Sequence, residues 1–105
     1  MSGQSPALTQ RLAEHLARPV PAAAKARAAL HVLDWAGCAV AGAASPAGRA
    51  MAAGLMAEGQ GRCAVAGTGR GASPLTAALL NGAVGNVLEM DDVDKRAILH
   101  PGPTV

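Results

Sequence analysis

Three Ser-Pro dipeptides, Ser5-Pro6, Ser45-Pro46 and Ser73-Pro74, divide this chain into its elements. A serine hydroxyl can accept a hydrogen bond from an orphan N–H of a helix's first turn. Proline fits the first helical position because its missing N–H would be unpaired there anyway. Each dipeptide therefore predicts a helix start. After Ser5-Pro6, Leu8, Leu12 and Leu16 recur at helical spacing, which predicts a short amphipathic helix ending near Arg18. Pro19 and Pro21 break it, and Pro21 opens a second helix, AAAKARAALHVLDWAGCAVAGA, with Gly42 as its stop. On that helix Ala29, Val32, Leu33, Ala36 and Val40 trace an apolar face. A third helix covers Ala47 to Ala57 and ends at Glu58-Gly59. Met1 to Gln4 reads as a loose tail.

The pattern then changes. Cys63 to Ala66, bracketed by Gly61 and Gly67, reads as a short extended segment or a β-bridge, and Gly67 to Gly71 as a turn-rich loop. A fourth helix runs from Ser73-Pro74 to about Met90, burying Leu75, Leu79, Leu80, Val84, Val87 and Leu88. Gly82 and Gly85 inside it each cost about 1 kcal/mol relative to Ala. Close approach of another backbone would explain them. The fold class is mainly α, with at most one short extended segment, in a single unit spanning 1–105.

Composition sets how such helices can pack. Half of the residues are hydrophobic, yet there is no Phe or Tyr and a single Trp. Most of the apolar content is Ala, which buries little area, so the core is thin. Helices of this kind need many neighbours, which predicts a piece of a larger helical body or a subunit that depends on a partner. The formal charge of +2 is scattered, without a basic block or interleaved aromatics, which argues against a nucleic-acid partner. Cys38 and Cys63 lack metal-ligand spacing and read as buried structural thiols in a reducing cytoplasm. No signal peptide is legible. The apolar run around Val32 to Ala44 is interrupted by Asp34 and glycines, and is too short and polar for a membrane span.

The chemistry-bearing residues gather late in the chain. GTGRG at Gly67 to Gly71 lacks both the dinucleotide-binding and the P-loop context, and reads as a plain turn. Glu89, Asp91 and Asp92 follow the fourth helix. Acids at a helix C-terminus oppose the macrodipole, at a cost of about 0.3–1 kcal/mol each when exposed. Their presence there calls either for nearby cations, such as Lys95 and Arg96, or for use of the acids. His100 is flanked by Ile98-Leu99 and by Pro101-Gly102-Pro103, stiff surroundings of the kind a proton-transfer side chain requires. His15 and His31 have no such setting and read as structural. No tight ligand spacing marks a metal site.

These segments together resemble the N-terminal region of the MmgE/PrpD family. The resemblance runs from about Leu30 to Val105. It rests on Asp34, Gly37 and Cys38, on the step from Ala41 to Gly48, on the turn from Gly69 to Pro74, on the helix from Ala78 to Gly82, and on the acidic run before His100-Pro101-Gly102. The family includes 2-methylcitrate dehydratases, cis-aconitate decarboxylases and an iminodisuccinate epimerase. The resemblance implies a large helical domain with a smaller lid domain, homodimeric assembly, no metal or cofactor, and chemistry on small di- or tricarboxylates. It implies Glu89 and His100 as active-site residues, with His100 catalytic, and Asp91 and Asp92 supporting the same substrate-binding loop. Thr or Val often stands after the Asp pair in the family, so Val93 lacks the hydroxyl contact that Thr would give, and Asp94 departs from the histidine that often follows. Family members run to several hundred residues, so the chain reads as an N-terminal fragment, a truncated product or one piece of a split enzyme. The leading expectation is part of a lyase that eliminates beside a carboxylate. The alternatives are a non-catalytic helical assembly module and an isomerase or epimerase of the same family.

Overall fold

The computed structural model describes residues 7–57 and 60–104. Among them the order is α1 (Leu8–Leu16), α2 (Ala22–Ala44), α3 (Pro46–Leu55), β1 (Gln60–Ala64), β2 (Gly71–Ala72) and α4 (Pro74–Asn86), then a 3-10 turn at Gly102–Thr104. The fold is mainly α, as the helix-start signals imply. Ser45 Oγ accepts from Gly48 N at 3.0 Å, and Ser73 Oγ accepts from Thr76 N at 3.2 Å. Ser45 Oγ also donates to Gly42 O at 2.6 Å. One serine thus closes α2 and opens α3, across a bend of 82°. Ser5-Pro6, the tail and Glu58-Gly59 lie outside the described residues.

The centre of the fold is the packing of α2 on α4. Both helices approach through small residues. A Cβ on Gly42 would strike the backbone oxygen of Val84, and one on Gly85 would strike Nε1 of Trp35. Gly85 thus makes room for an indole rather than for a second backbone. Gly82 is not required in the same way, since a Cβ there would meet Pro103 O at an ordinary 3.5 Å. Gly42 does not stop α2, which runs on to Ala44; its role is this close approach.

Two small clusters form the interior. Ala39 and Val84 are buried between α2 and α4. Met56, Val65, Ala72, Ala77 and Leu80 form the second, with Met51, Ala52 and Leu55 against them. Leu80 is the one large side chain to be fully buried among the described residues. The thin core expected from an Ala-rich chain is present.

Four expectations need correction. The face of α2 through Val32, Leu33 and Val40 is exposed, and the helix packs instead through Trp35, Ala39 and Gly42. Close packing of small residues displaced the larger aliphatic ones to the outside. On α4, Leu80 and Val84 are buried, but Leu75, Leu79 and Leu88 are exposed. That helix ends at Asn86, four residues before Met90. Finally, the extended segment lies earlier than Cys63 to Ala66: β1 covers Gln60–Ala64 and pairs antiparallel with β2, with an irregularity between Gln60 and Cys63. The intervening turn is as expected, with Gly67 and Gly69 at positive φ and Thr68 Oγ1 donating to Val65 O at 2.9 Å. Asn81 ties α4 to the end of β1: its Oδ1 accepts from Ala66 N at 2.9 Å, and its Nδ2 donates to Ala64 O at 3.0 Å.

α1 stands apart. Its leucine stripe, Leu8, Leu12 and Leu16, is 78%, 55% and 73% exposed, and no residue of the helix is buried. No single helix among the described residues is long and apolar enough to cross a membrane; α2 and α3 together have that length and composition but are sharply bent.

The glycine geometry makes a paired prediction. Gly42→Ala should destabilise the fold by about 1–3 kcal/mol, because a methyl group must displace α4 backbone. Gly54→Ala, on α3 with nothing within 4 Å of the added Cβ, should stabilise it by about 0.5–1 kcal/mol through helix propensity. Denaturant unfolding followed by circular dichroism checks both; equal effects would contradict the α2–α4 contact.

Candidate functional site

After α4 the chain turns back on itself and returns beside α2. Glu89 N donates to Asn86 O at 2.8 Å, and Glu89 takes a left-handed conformation with φ of 50°. Asp94 then closes a tight loop. Its Oδ1 accepts from Arg96 N at 2.8 Å and from Ala97 N at 3.1 Å, and its backbone pairs with Leu99. Those N–H groups, Ala97's first, hold the Asp94 carboxyl below its usual range. Asp94, which departs from the family sequence, is therefore spent on folding the loop. The same loop forces Ile98 to a φ of 51°, a conformation β-branched residues rarely adopt.

That loop delivers His100 to Asp91. His100 Nδ1 lies 3.0 Å from Asp91 Oδ2, and Asp91 Oδ1 accepts from Asn86 Nδ2 at 3.0 Å. The Asp91 side chain has no exposed surface, while that of His100 is 40% exposed. A carboxylate only accepts, so the proton on this edge of the ring sits on Nδ1. In the neutral ring Nε2 then carries the lone pair. This is the arrangement in which a buried carboxylate orients an imidazole for proton transfer.

The adjacent carboxylate holds a second imidazole. Asp92 Oδ1 accepts from Gly102 N at 3.0 Å, and His31 Nδ1 of α2 lies 2.8 Å from Asp92 Oδ2. This second approach has ion-pair distance without hydrogen-bond alignment, for Oδ2 is buried with no hydrogen-bond partner. Gly102 is needed here, since a Cβ would come within 2.8 Å of Asp92 Oδ1.

Between α2, α4 and the returning loop lies a half-open cleft of about 630 Å³. Its walls are Ala28, His31, Val32 and Trp35 of α2, Ala78, Asn81 and Gly82 of α4, and Asp92 with Pro101 to Pro103 of the loop. An apolar pocket with few polar groups is the usual form of a small-molecule site. No Lys or Arg is among the lining residues.

The structure thus gathers three of the four expected site residues. Asp91, Asp92 and His100 meet around the loop, with Asp92 on the cleft wall. Glu89 is exposed, and Glu89, Asp91 and His100 all stand outside the cleft lining, His100 next to its Pro101. The acids do not sit on a helix end, since α4 has already stopped. Among the described residues, Lys95 and Arg96 form no ion pair with them; Asp91 is satisfied by His100 and Asn86, while Asp92 has one oxygen bonded to a backbone N–H and the other only at ion-pair distance from His31. His31 was read from sequence as structural, and its place beside Asp92 had no sequence signal, because α2 and the loop are about sixty residues apart. Trp35 was likewise not singled out. Its Nε1 is buried against α4 without a hydrogen-bond partner.

The cysteines differ from each other. Cys63 is exposed on β1, contrary to the expectation of burial, because this short strand packs little of its surface. Cys38 is half-buried. Desolvation first, then the carboxylates of Asp34, Asp91 and Asp92, push its thiol pKa up. Thiolate is the reactive form. Iodoacetamide at pH 7.5 should therefore label Cys63 well before Cys38, as read by peptide mass mapping. Faster labelling of Cys38 would contradict its placement behind the acidic loop.

Fold and site together define a helical domain whose acidic loop carries two imidazole–carboxylate contacts, of which His31–Asp92 lies on the wall of an apolar cleft. The chain matches the MmgE/PrpD N-terminal domain over residues 7–105, and so belongs to the MmgE/PrpD family. The match extends beyond the region of sequence resemblance to take in α1 and the start of α2. No curated protein and no solved structure matches the chain.

Proposed function

We propose that this domain is the N-terminal part of a metal-independent lyase acting on small di- or tricarboxylates. The observation that carries the reading is the buried Asp91 carboxylate on Nδ1 of the partly exposed His100. In that arrangement Nε2 of His100 takes the proton from the carbon beside a substrate carboxylate. The C–H electron pair becomes the new double bond, and the hydroxyl on the neighbouring carbon leaves as water after receiving a proton. Asp91 has both oxygens engaged within the protein, so it positions His100 rather than contacting substrate. Asp92 faces the cleft and contributes to its polar wall. Glu89 keeps its family-derived role in substrate binding on condition that the loop around it closes toward the cleft.

An anionic substrate needs cationic partners for its carboxylates. The cleft lining carries no Lys or Arg, so the reading assigns those groups to further parts of the enzyme or to a second subunit of a homodimer in the cytoplasm. Epimerisation begins with the same proton abstraction and shares the same groups.

A second reading is a helical assembly module without activity of its own. The exposed leucine stripe of α1 and the outward Val32, Leu33 and Val40 of α2 favour it, since each needs a covering surface. It differs from the first in expecting no effect of His100 on any turnover.

In the enzyme that contains this domain, His100→Ala should lower kcat/KM for a small hydroxy-di- or tricarboxylate by about 10²–10⁴-fold, the usual contribution of a general base. The circular dichroism spectrum should be unchanged. Turnover equal to the unsubstituted enzyme would remove the catalytic assignment and favour the assembly module.

A further inference from the structure

The cleft walls carry few polar side-chain atoms, and nearly all of them are committed. Both polar atoms of the Asn81 amide are bonded to the β1 segment. Asp92 Oδ1 receives Gly102 N, and its Oδ2 is buried 2.8 Å from His31 Nδ1. Trp35 Nε1 is buried against Gly85 and out of reach of a ligand. What remains is Nε2 of His31, on the ring edge opposite Asp92. The His31 side chain is 44% exposed on the cleft wall.

The contact with Asp92 fixes the ring chemically. A neutral nitrogen lone pair 2.8 Å from a carboxylate oxygen would be repelled, so Nδ1 carries a proton. Nε2 is then the atom that gains or loses a proton toward the cleft. The adjacent pair Asp91–His100 makes the hydrogen-bonded form of this contact, whereas His31 Nδ1 stands at ion-pair distance from Asp92 Oδ2 without that alignment. Two consecutive aspartates of one loop thus orient two histidines that come from different parts of the chain.

We infer that His31 is a proton-transfer residue on the wall of this cleft, complementing His100 of the neighbouring loop, with Asp92 as the carboxylate that positions it. The inference rests on the lyase reading and assigns the step that reading leaves open. Elimination of water requires both a base for the C–H proton and an acid for the departing hydroxyl. His100 Nε2 takes the proton from carbon, and the C–H pair forms the C=C bond. The C–O bond breaks with its electron pair on oxygen, and the imidazolium of His31 gives its Nε2 proton to that oxygen, releasing water. His100 ends protonated and His31 neutral, and proton exchange with solvent restores both. The ligand class is a small hydroxy acid whose hydroxyl-bearing carbon faces α2.

Two measurements test this. In the enzyme that contains this domain, His31→Gln should lower kcat by about 10²-fold while KM stays within about threefold. A kcat within about threefold of the parent, or a loss confined to KM, would overturn the inference. The second measurement needs no variant. Diethyl pyrocarbonate modifies accessible imidazole nitrogens, and the histidines of the unsubstituted enzyme that contains this domain can be mapped by peptide mass with and without citrate as the probe. Citrate should slow modification of His31 several-fold and leave His15, on α1, unaffected. Equal rates at His31 with and without citrate would overturn the inference even if His31→Gln fails to fold. Protection of His100 alone, with turnover still dependent on it, would leave the lyase reading standing and this inference refuted. Enzyme turnover independent of His100 would instead refute the lyase reading itself.

Discussion

The structure depends on how closely α2 and α4 approach. Gly42 lets the backbone of Val84 come against α2, and Gly85 accepts the edge of the Trp35 indole. Nothing larger fits at either point. The contact does more than fill a thin core. It sets the line along which the chain beyond Asn86 must return, and so determines that the acidic loop lies beside α2. Two neighbouring aspartates then meet two histidines, one from the loop itself and one from α2. Without the close helix contact His31 and Asp92 would have no reason to be near each other.

The cost of that arrangement is visible. A fully buried carboxylate side chain is expensive unless its oxygens are bonded, and Asp91 meets the condition through Asn86 and His100. Asp92 meets it in part, with one oxygen bonded and the other held only by the ion-pair distance to His31. The loop adds a left-handed Ile98, which Asp94 sustains by receiving two backbone N–H groups in its one oxygen. Strain and buried charge are concentrated in one short segment while the helices around it follow ordinary rules. Such concentration is common where a side chain must be held for chemistry.

Much of this was legible in the sequence, and the parts that were not share a cause. The Ser45-Pro46 and Ser73-Pro74 starts were legible because capping is local: the hydroxyl, the proline and the first-turn N–H groups lie within four residues. The Gly67–Gly71 turn was legible for the same reason. The buried faces of α2 and α4 were misread because periodicity weights large aliphatic residues, whereas these helices meet through Gly, Ala and one Trp. The end of α4 was placed too late because Val87, Leu88 and Met90 continue an apolar pattern that the backbone abandons at Asn86. Asp91, Asp92 and His100 were singled out, with Glu89, from their place after the fourth helix, the stiff flanks of His100 and the family resemblance. Their division of labour, one aspartate per histidine, required the return path of the loop. His31 was invisible as a site residue, since its partner lies far along the chain.

Asp91 holds the His100 ring by a hydrogen bond at Nδ1, and Asp92 faces Nδ1 of His31 at ion-pair distance. Long-range ¹H–¹⁵N correlation spectra of the 105-residue chain, recorded near pH 8 where histidine rings are mostly neutral, read the tautomer of each ring directly. The account predicts Nδ1–H rings at His100 and His31. His15, which has no carboxylate at Nδ1 among the described residues, serves as the internal reference for an unconstrained ring. His100 and His31 showing the same tautomer mixture as His15 would contradict the account, because neither aspartate would then be orienting its histidine.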